Sequence, residues 1–135
     1  MRCRTVFFVM SILVCLPASA QNVQKMSDAE QLGMMAGLAM ACGADKKLED
    51  FDLIASRLLA NQSPTEQEEI RQVKVYTQAK WEALQREKRD HTVSCQEVLD
   101  SFQKLPLFNA IVYADGSVKL PDGIWSKPLR PVKKR

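Results

Sequence analysis

The chain has 135 residues, with 19 Lys and Arg against 16 Asp and Glu, and a formal net charge of +3. This length supports one domain with a modest core and excludes two. Five of the basic residues fall in the last nine positions, so a mildly acidic body ends in a basic tail that includes Lys127 and Arg130.

The first twenty residues are typical of a signal peptide. Arg2 and Arg4 precede an apolar run over 6–16, and small residues at 18–20 suit cleavage. The run is about half of the ~20 apolar residues that a membrane-spanning helix needs. Lipid attachment at Cys15 is an alternative, but the residue before it is not small. We therefore expect residues 1–20 to be removed and the protein to reach the periplasm, with the extracellular space as the alternative.

The cysteines predict one disulfide. Cleavage after residue 20 leaves 115 residues and removes Cys3 and Cys15, so that only Cys42 and Cys95 remain. An exported chain meets an oxidising compartment, in which such a pair normally closes. The two positions are 53 apart in sequence, unlike the close pairs of redox and metal sites. We predict a structural bond between Cys42 and Cys95.

Capping signals and helical spacing predict an all-α body in residues 21–106. The four expected helices start behind capping residues Ser27, Asp45, Ser63 and Ser94, and end near residues 42, 60, 90 and 105. Short turns favour a four-helix up-down bundle, in which the first helix ends where the fourth begins. This topology places the two cysteines side by side.

Two of the helices carry clear apolar stripes that should face the core. In the second helix the stripe comprises Leu48, Phe51, Ile54, Ala55 and Leu58. In the third helix it comprises Ile70, Val73, Thr77, Trp81 and Leu84.

Small residues line one face of the first helix. Gly33, Gly37 and Ala41 are spaced by four, and each glycine costs a helix about 1 kcal/mol relative to alanine. Some close approach should offset that cost. The stripe indicates either tight packing against a neighbouring helix or a docking groove for a partner, in which Gly33 and Gly37 would be binding residues.

Residues 107–135 no longer show the helical pattern of the preceding body. Short apolar stretches on either side of Asp115 and Gly116 predict a β-hairpin, which is too small to be stable alone. Tyr113 and Trp125 are candidate aromatic anchors for a partner, beside the positive charges of the tail at Lys127 and Arg130. The alternatives are that Trp125 closes the bottom of the bundle and that the tail only aids solubility or touches a membrane weakly.

No catalytic, cofactor-binding or metal-binding constellation is predicted. The only histidine is His91, in a polar turn, and no phosphate-binding glycine loop or zinc-ligand cluster occurs. Methionines of the first helix could bind Cu(I), but such residues also fill gaps beside glycines. We expect no enzyme activity, and export argues against nucleic acid as a natural partner.

The layout resembles that of small four-helix bacterial secretion pilotins. The resemblance rests on Leu32 through Gly43, on Tyr76, Trp81 and Leu84, and on Ser94 with Cys95. It implies a helical groove that holds the terminal segment of a secretin. The expected function is that of a non-enzymatic periplasmic accessory protein that binds an envelope protein. A stress chaperone, or a hydrolytic or metal-handling protein, is the alternative.

Overall fold

The computed structural model describes residues 26–131. The predicted signal peptide and the last basic residues, Lys133, Lys134 and Arg135, lie outside this range. The described elements are α1 (Asp28–Ala41), α2 (Asp45–Gln62), α3 (Glu66–Asp90), α4 (Cys95–Gln103), a short 3-10 helix (Pro106–Asn109), β1 (Ile111–Val112), β2 (Val118–Lys119) and β3 (Trp125–Ser126). The mostly helical class is therefore confirmed. Within residues 26–131 none of the helices has the length and apolar character needed to cross a bilayer.

The helix starts follow the predicted caps at two of the four positions. Ser27 and Glu30 form a reciprocal capping box, and the Ser94 hydroxyl accepts from the backbone of α4. Asp45 is the first residue of α2 and not its cap. Ser63 does not cap α3, because its hydroxyl donates to the Leu59 carbonyl at the end of α2, at 2.7 Å. The cap of α3 is Thr65, two residues later.

The closest helix packing is between α1 and α3. A Cβ atom added to Gly33 would overlap the Tyr76 carbonyl oxygen and lie 2.8 Å from the Ala79 Cβ. One added to Gly37 would overlap the Lys80 carbonyl oxygen. The contact points advance together along both helices, so α1 and α3 run in the same direction. The small-residue stripe is thus covered within the chain, and Gly33 and Gly37 form no open groove for a partner.

The predicted inward stripe of α3 is wrong. Of its five members only Leu84 is buried, while Ile70 and Trp81 are 63% and 59% exposed. The residues facing α1 are those near Ala79 and Ala83, whose single methyl groups permit the close backbone approach. An indole could not fit there, so the glycines of α1 determine which face of α3 turns inward.

The predicted apolar face of α2 is confirmed, since all five of its residues are buried. Phe51 of α2 lies at the centre of an aromatic cluster, with its ring centroid 5.1 Å from that of Phe102 and 6.1 Å from that of Phe108. Phe108 belongs to the 3-10 helix that follows α4. The core therefore extends beyond residue 106, past the predicted boundary of the helical domain.

A polar cluster ties α2 to α3 at the edge of this core. The buried Tyr76 hydroxyl donates to the Asp52 carboxylate, and the Lys80 ammonium lies 2.6 Å from the same carboxylate. Burial, reinforced by the neighbouring Asp52 carboxylate, raises the pKa of Tyr76 well above its ordinary range. The hydroxyl therefore stays protonated and acts as a fixed donor.

A disulfide and a buried carboxylate hold the start of α4 in place. The predicted disulfide between Cys42 and Cys95 is present, with the two Cα atoms 5.2 Å apart. At the end of α3, the buried Glu87 carboxylate accepts from the Val93 backbone at 3.1 Å and from the Thr92 hydroxyl at 2.9 Å. These hydrogen bonds hold the pKa of Glu87 below its ordinary value. Together the bond and the carboxylate position the start of α4.

Candidate interaction site on the C-terminal sheet

The C-terminal segment forms a three-stranded antiparallel sheet in the order β1-β2-β3. The predicted hairpin is present, and its turn places Gly116 at a φ of 87°. The third strand was not predicted. Its signal is a second turn at Pro121, Asp122 and Gly123, where Gly123 has a φ of 86° and the Asp122 carboxylate accepts from the Ile124 backbone. This repeats the turn chemistry of Asp115 and Gly116.

The register divides the side chains of the sheet between two faces. Ile111, Lys119 and Trp125 occupy one cross-strand row, and Val112, Val118 and Ser126 occupy the next row. Successive side chains of a strand point to opposite faces, so these rows belong to different faces. Val118 is fully buried and packs with Ile54 and Leu58 of α2. The row containing Trp125 therefore faces away from the helices.

The outer face carries an aromatic pair. Tyr113, two residues after Ile111 and on the same face, lies with its ring centroid 5.1 Å from that of Trp125. The Lys119 ammonium lies 5.6 Å from the centroid of Trp125. Tyr113 and Trp125 are 40% and 45% exposed, so Trp125 does not close the core. We call Ile111, Tyr113, Lys119 and Trp125 the sheet patch.

Asn61, at the end of α2, holds the sheet in place. Its side-chain amide, 3% exposed, donates to the carbonyls of Gly116 and Ser126, each at 3.0 Å. Its backbone carbonyl accepts from the Leu129 backbone. One buried residue thus links the end of α2 to the first turn and to β3, which lie side by side at one end of the sheet. The pattern of the sequence did not single out Asn61, because its partners lie more than fifty residues away.

We expect Asn61→Ala to loosen the sheet. The substitution leaves two carbonyls without their donor, so the free energy of unfolding should fall by about 1–3 kcal/mol. Hydrogen exchange of the Val118 and Lys119 backbone amides should accelerate more than that of α1. Asn109→Ala, at an exposed asparagine of the 3-10 helix, is the matched control. Unchanged exchange in the sheet of Asn61→Ala would contradict the anchoring role.

The two tail cations predicted to bind a partner have different surroundings. The Arg130 guanidinium pairs with the Glu69 carboxylate and donates to the Ser63 carbonyl at 3.2 Å. It is therefore occupied within the chain, and we assign it to holding the segment against α3. Lys127 is exposed, on the same side as Asp115. Of these two cations, both within the described residues, Lys127 is the one available to an incoming partner.

A second candidate surface is a groove between α1 and α4, about 440 Å³ in volume. Its lining is mainly apolar and comprises Met35, Leu38, Thr92, Val93, Ser94, Glu97, Val98, Ser101, Phe102 and Leu105. Gly33 and Gly37 do not line it. We call it the α1–α4 groove.

Among residues 26–131 no three His, Cys, Asp or Glu side chains group as metal ligands would. His91, the only histidine, is exposed in a left-handed turn with a φ of 47°. The chain matches no protein-family model, no curated protein and no solved structure. The resemblance to secretion pilotins stays a prediction, and function is inferred from the geometry of the two surfaces.

Proposed function

We propose that this protein is a non-enzymatic periplasmic accessory protein that binds a partner protein through the sheet patch. The observation that carries the proposal is the exposed pair of Tyr113 and Trp125 on the outer face of the sheet. The same patch agrees with the prediction that residues 107–135 make the partner contact.

The composition of the patch favours binding. The outer face of an antiparallel sheet is usually polar, because it meets water. Here three of its four side chains, Ile111, Tyr113 and Trp125, are large and apolar and are at least 40% exposed. Aromatic side chains are the commonest anchors at protein interfaces, since they bury much area and lose little entropy.

The patch is also held rigidly before any partner arrives. Val118 is packed on α2 on the opposite face of the sheet, and Asn61 holds the first turn at Gly116 and the third strand at Ser126. A preformed surface loses less conformational entropy on binding than a flexible one. This rigidity supports a role as a docking surface and disfavours a purely solubilising tail.

Charge indicates the kind of partner. Lys119 lies within the patch and the exposed Lys127 follows β3. Their positive charges favour a partner surface that combines apolar side chains with acidic ones. Such a contact forms faster at low ionic strength and is screened by salt.

The periplasmic location belongs to the same proposal. The disulfide between Cys42 and Cys95 suits an oxidising compartment, and the first twenty residues suit export. We also propose that the four helices alternate up and down. In such a bundle the first and third helices point in the same direction, as α1 and α3 do.

The α1–α4 groove is a second candidate for the partner contact. Its apolar lining, with Leu38, Val98 and Phe102, suits an amphipathic segment of a partner. The pilotin resemblance implies a groove of this kind. The partner would then insert a segment between α1 and α4 and leave the sheet patch exposed.

We expect the double substitution Tyr113→Ser and Trp125→Ser to reduce capture of the partner from envelope extracts at least tenfold. Loss of two aromatic anchors typically exceeds the 1.4 kcal/mol that a tenfold change requires. The helical circular dichroism should stay unchanged, because both side chains lie outside the core. The measurement is affinity capture after cross-linking, in which the amount of one stoichiometric partner protein is compared between the wild type and the variant.

Matched variants assign the contact to one surface. Leu53→Ser removes an exposed leucine of α2 and should leave capture intact. Leu38→Glu places a charge in the α1–α4 groove. Capture that is lost in Leu38→Glu and kept in the double variant would move the contact to the groove. Recovery of many unfolded proteins by every variant would instead indicate a chaperone.

A further inference from the structure

Four of the five residues predicted to form the inner face of α3 form an exposed, mainly apolar stripe instead. Ile70, Val73 and Trp81 are 63%, 39% and 59% exposed, and Thr77 between them is exposed as well. Their spacing of three, four and four residues places them on one side of the helix. We call these four residues the α3 stripe. All four side chains therefore remain accessible to solvent within the described residues 26–131.

Opposite charges lie at the two ends of the stripe. Helical spacing places Glu66 one turn before Ile70, and Lys88 seven residues beyond Trp81, on the same side of α3. Both side chains are exposed, and neither takes part in a salt bridge within the described part of the chain. The stripe therefore has an acidic end and a basic end.

We propose that a second copy of this chain covers the α3 stripe, with the two α3 helices antiparallel about a two-fold axis at Thr77. Glu66 and Lys88 are equally distant from Thr77 in sequence, as are Val73 and Trp81. In this arrangement Glu66 meets the partner's Lys88, and Val73 meets the partner's Trp81. Both pairs occur twice in the dimer.

The charges select the antiparallel orientation and a second copy as the occupant. A parallel pair would place Glu66 against the partner's Glu66 and Lys88 against the partner's Lys88, and like charges at these positions repel. The antiparallel pair turns both contacts into attractions. A two-fold axis also requires a self-complementary surface, and the opposite charges of Glu66 and Lys88, at equal distances from Thr77 in sequence, meet this requirement. Trp81 provides the large apolar anchor.

Charge exchange tests the orientation. Sedimentation equilibrium of the purified, exported protein should show a dimer that Trp81→Glu reduces to a monomer with unchanged circular dichroism. Glu66→Lys and Lys88→Glu should each weaken the dimer by about tenfold, since each replaces two attractions with two repulsions. The two substitutions combined should restore wild-type association. A dimer that the combined variant weakens further would overturn the proposal.

Cysteine cross-linking tests the axis independently. Thr77→Cys should form disulfide-linked dimers on mild oxidation, whereas Val73→Cys should not, because its partner in the dimer is Trp81. Cross-linking by both variants would indicate a parallel pair and would overturn the proposal. A protein that is monomeric at every concentration would also overturn the proposal. Shielding of Trp81 from a fluorescence quencher in that monomer would show that its own chain covers the stripe. Leu53→Glu, outside the stripe, is the control and should leave the dimer unchanged.

Discussion

Gly37→Leu is expected to abolish the native fold. The Cβ atom of a side chain at this position would overlap the backbone carbonyl oxygen of Lys80 and lie 2.8 Å from the Ala83 Cβ, both on α3. Backbone atoms cannot turn aside as a flexible side chain can, so α1 and α3 would have to separate along their length. We expect the free energy of unfolding to fall by more than about 4 kcal/mol. Thermal unfolding followed by circular dichroism measures this.

Gly43→Ala is the matched control at a glycine with a different role. Gly43 has a φ of 83°, and nothing lies within 4 Å of the position of an added Cβ. The cost is therefore only the strain of a left-handed backbone conformation, about 1 kcal/mol. A melting temperature of Gly37→Leu equal to that of the wild type would contradict the close contact and reopen the glycine stripe as a docking surface.

Loss of the disulfide should have the second large effect. The bond between Cys42 and Cys95 closes a loop of 53 residues that contains all of α2 and α3. Loop-closure entropy for a ring of this size corresponds to about 4 kcal/mol. The double substitution Cys42→Ser and Cys95→Ser should lower the free energy of unfolding by about that amount, a large part of the total for a domain this small. Urea unfolding of both proteins measures the difference.

Thiol counting checks the bond itself. We expect no free thiol in the denatured mature protein, because Cys3 and Cys15 belong to the predicted signal peptide. Two reactive thiols per chain would refute both the bond and the stabilisation attributed to it. A reducing agent should destabilise the wild type and leave the double serine variant unchanged, which separates the bond from general effects of the reagent.

Local patterns determined the elements whose signals lie close together in the chain. The capping box of Ser27 and Glu30 predicted the start of α1, and Asp115 with Gly116 predicted the first turn of the sheet. The five apolar positions of α2 predicted its buried face. Each of these rests on interactions within about four residues, so no knowledge of the packing was needed. The cysteine pair was predicted because the expected removal of residues 1–20 takes away Cys3 and Cys15 and leaves a single pairing.

Only the tertiary structure decided which face of α3 is buried and which surface is available to a partner. The hydrophobic pattern alone predicted that Ile70 and Trp81 face inward. The glycines of α1 bring the two helix backbones so close that Ala79 and Ala83 fit between them instead. The anchoring of the sheet by Asn61 depends on carbonyls at Gly116 and Ser126, far away in sequence. Steric fit between distant backbones and hydrogen bonds across the chain leave no periodic trace in the sequence, and these two effects expose the α3 stripe and hold the sheet patch in place.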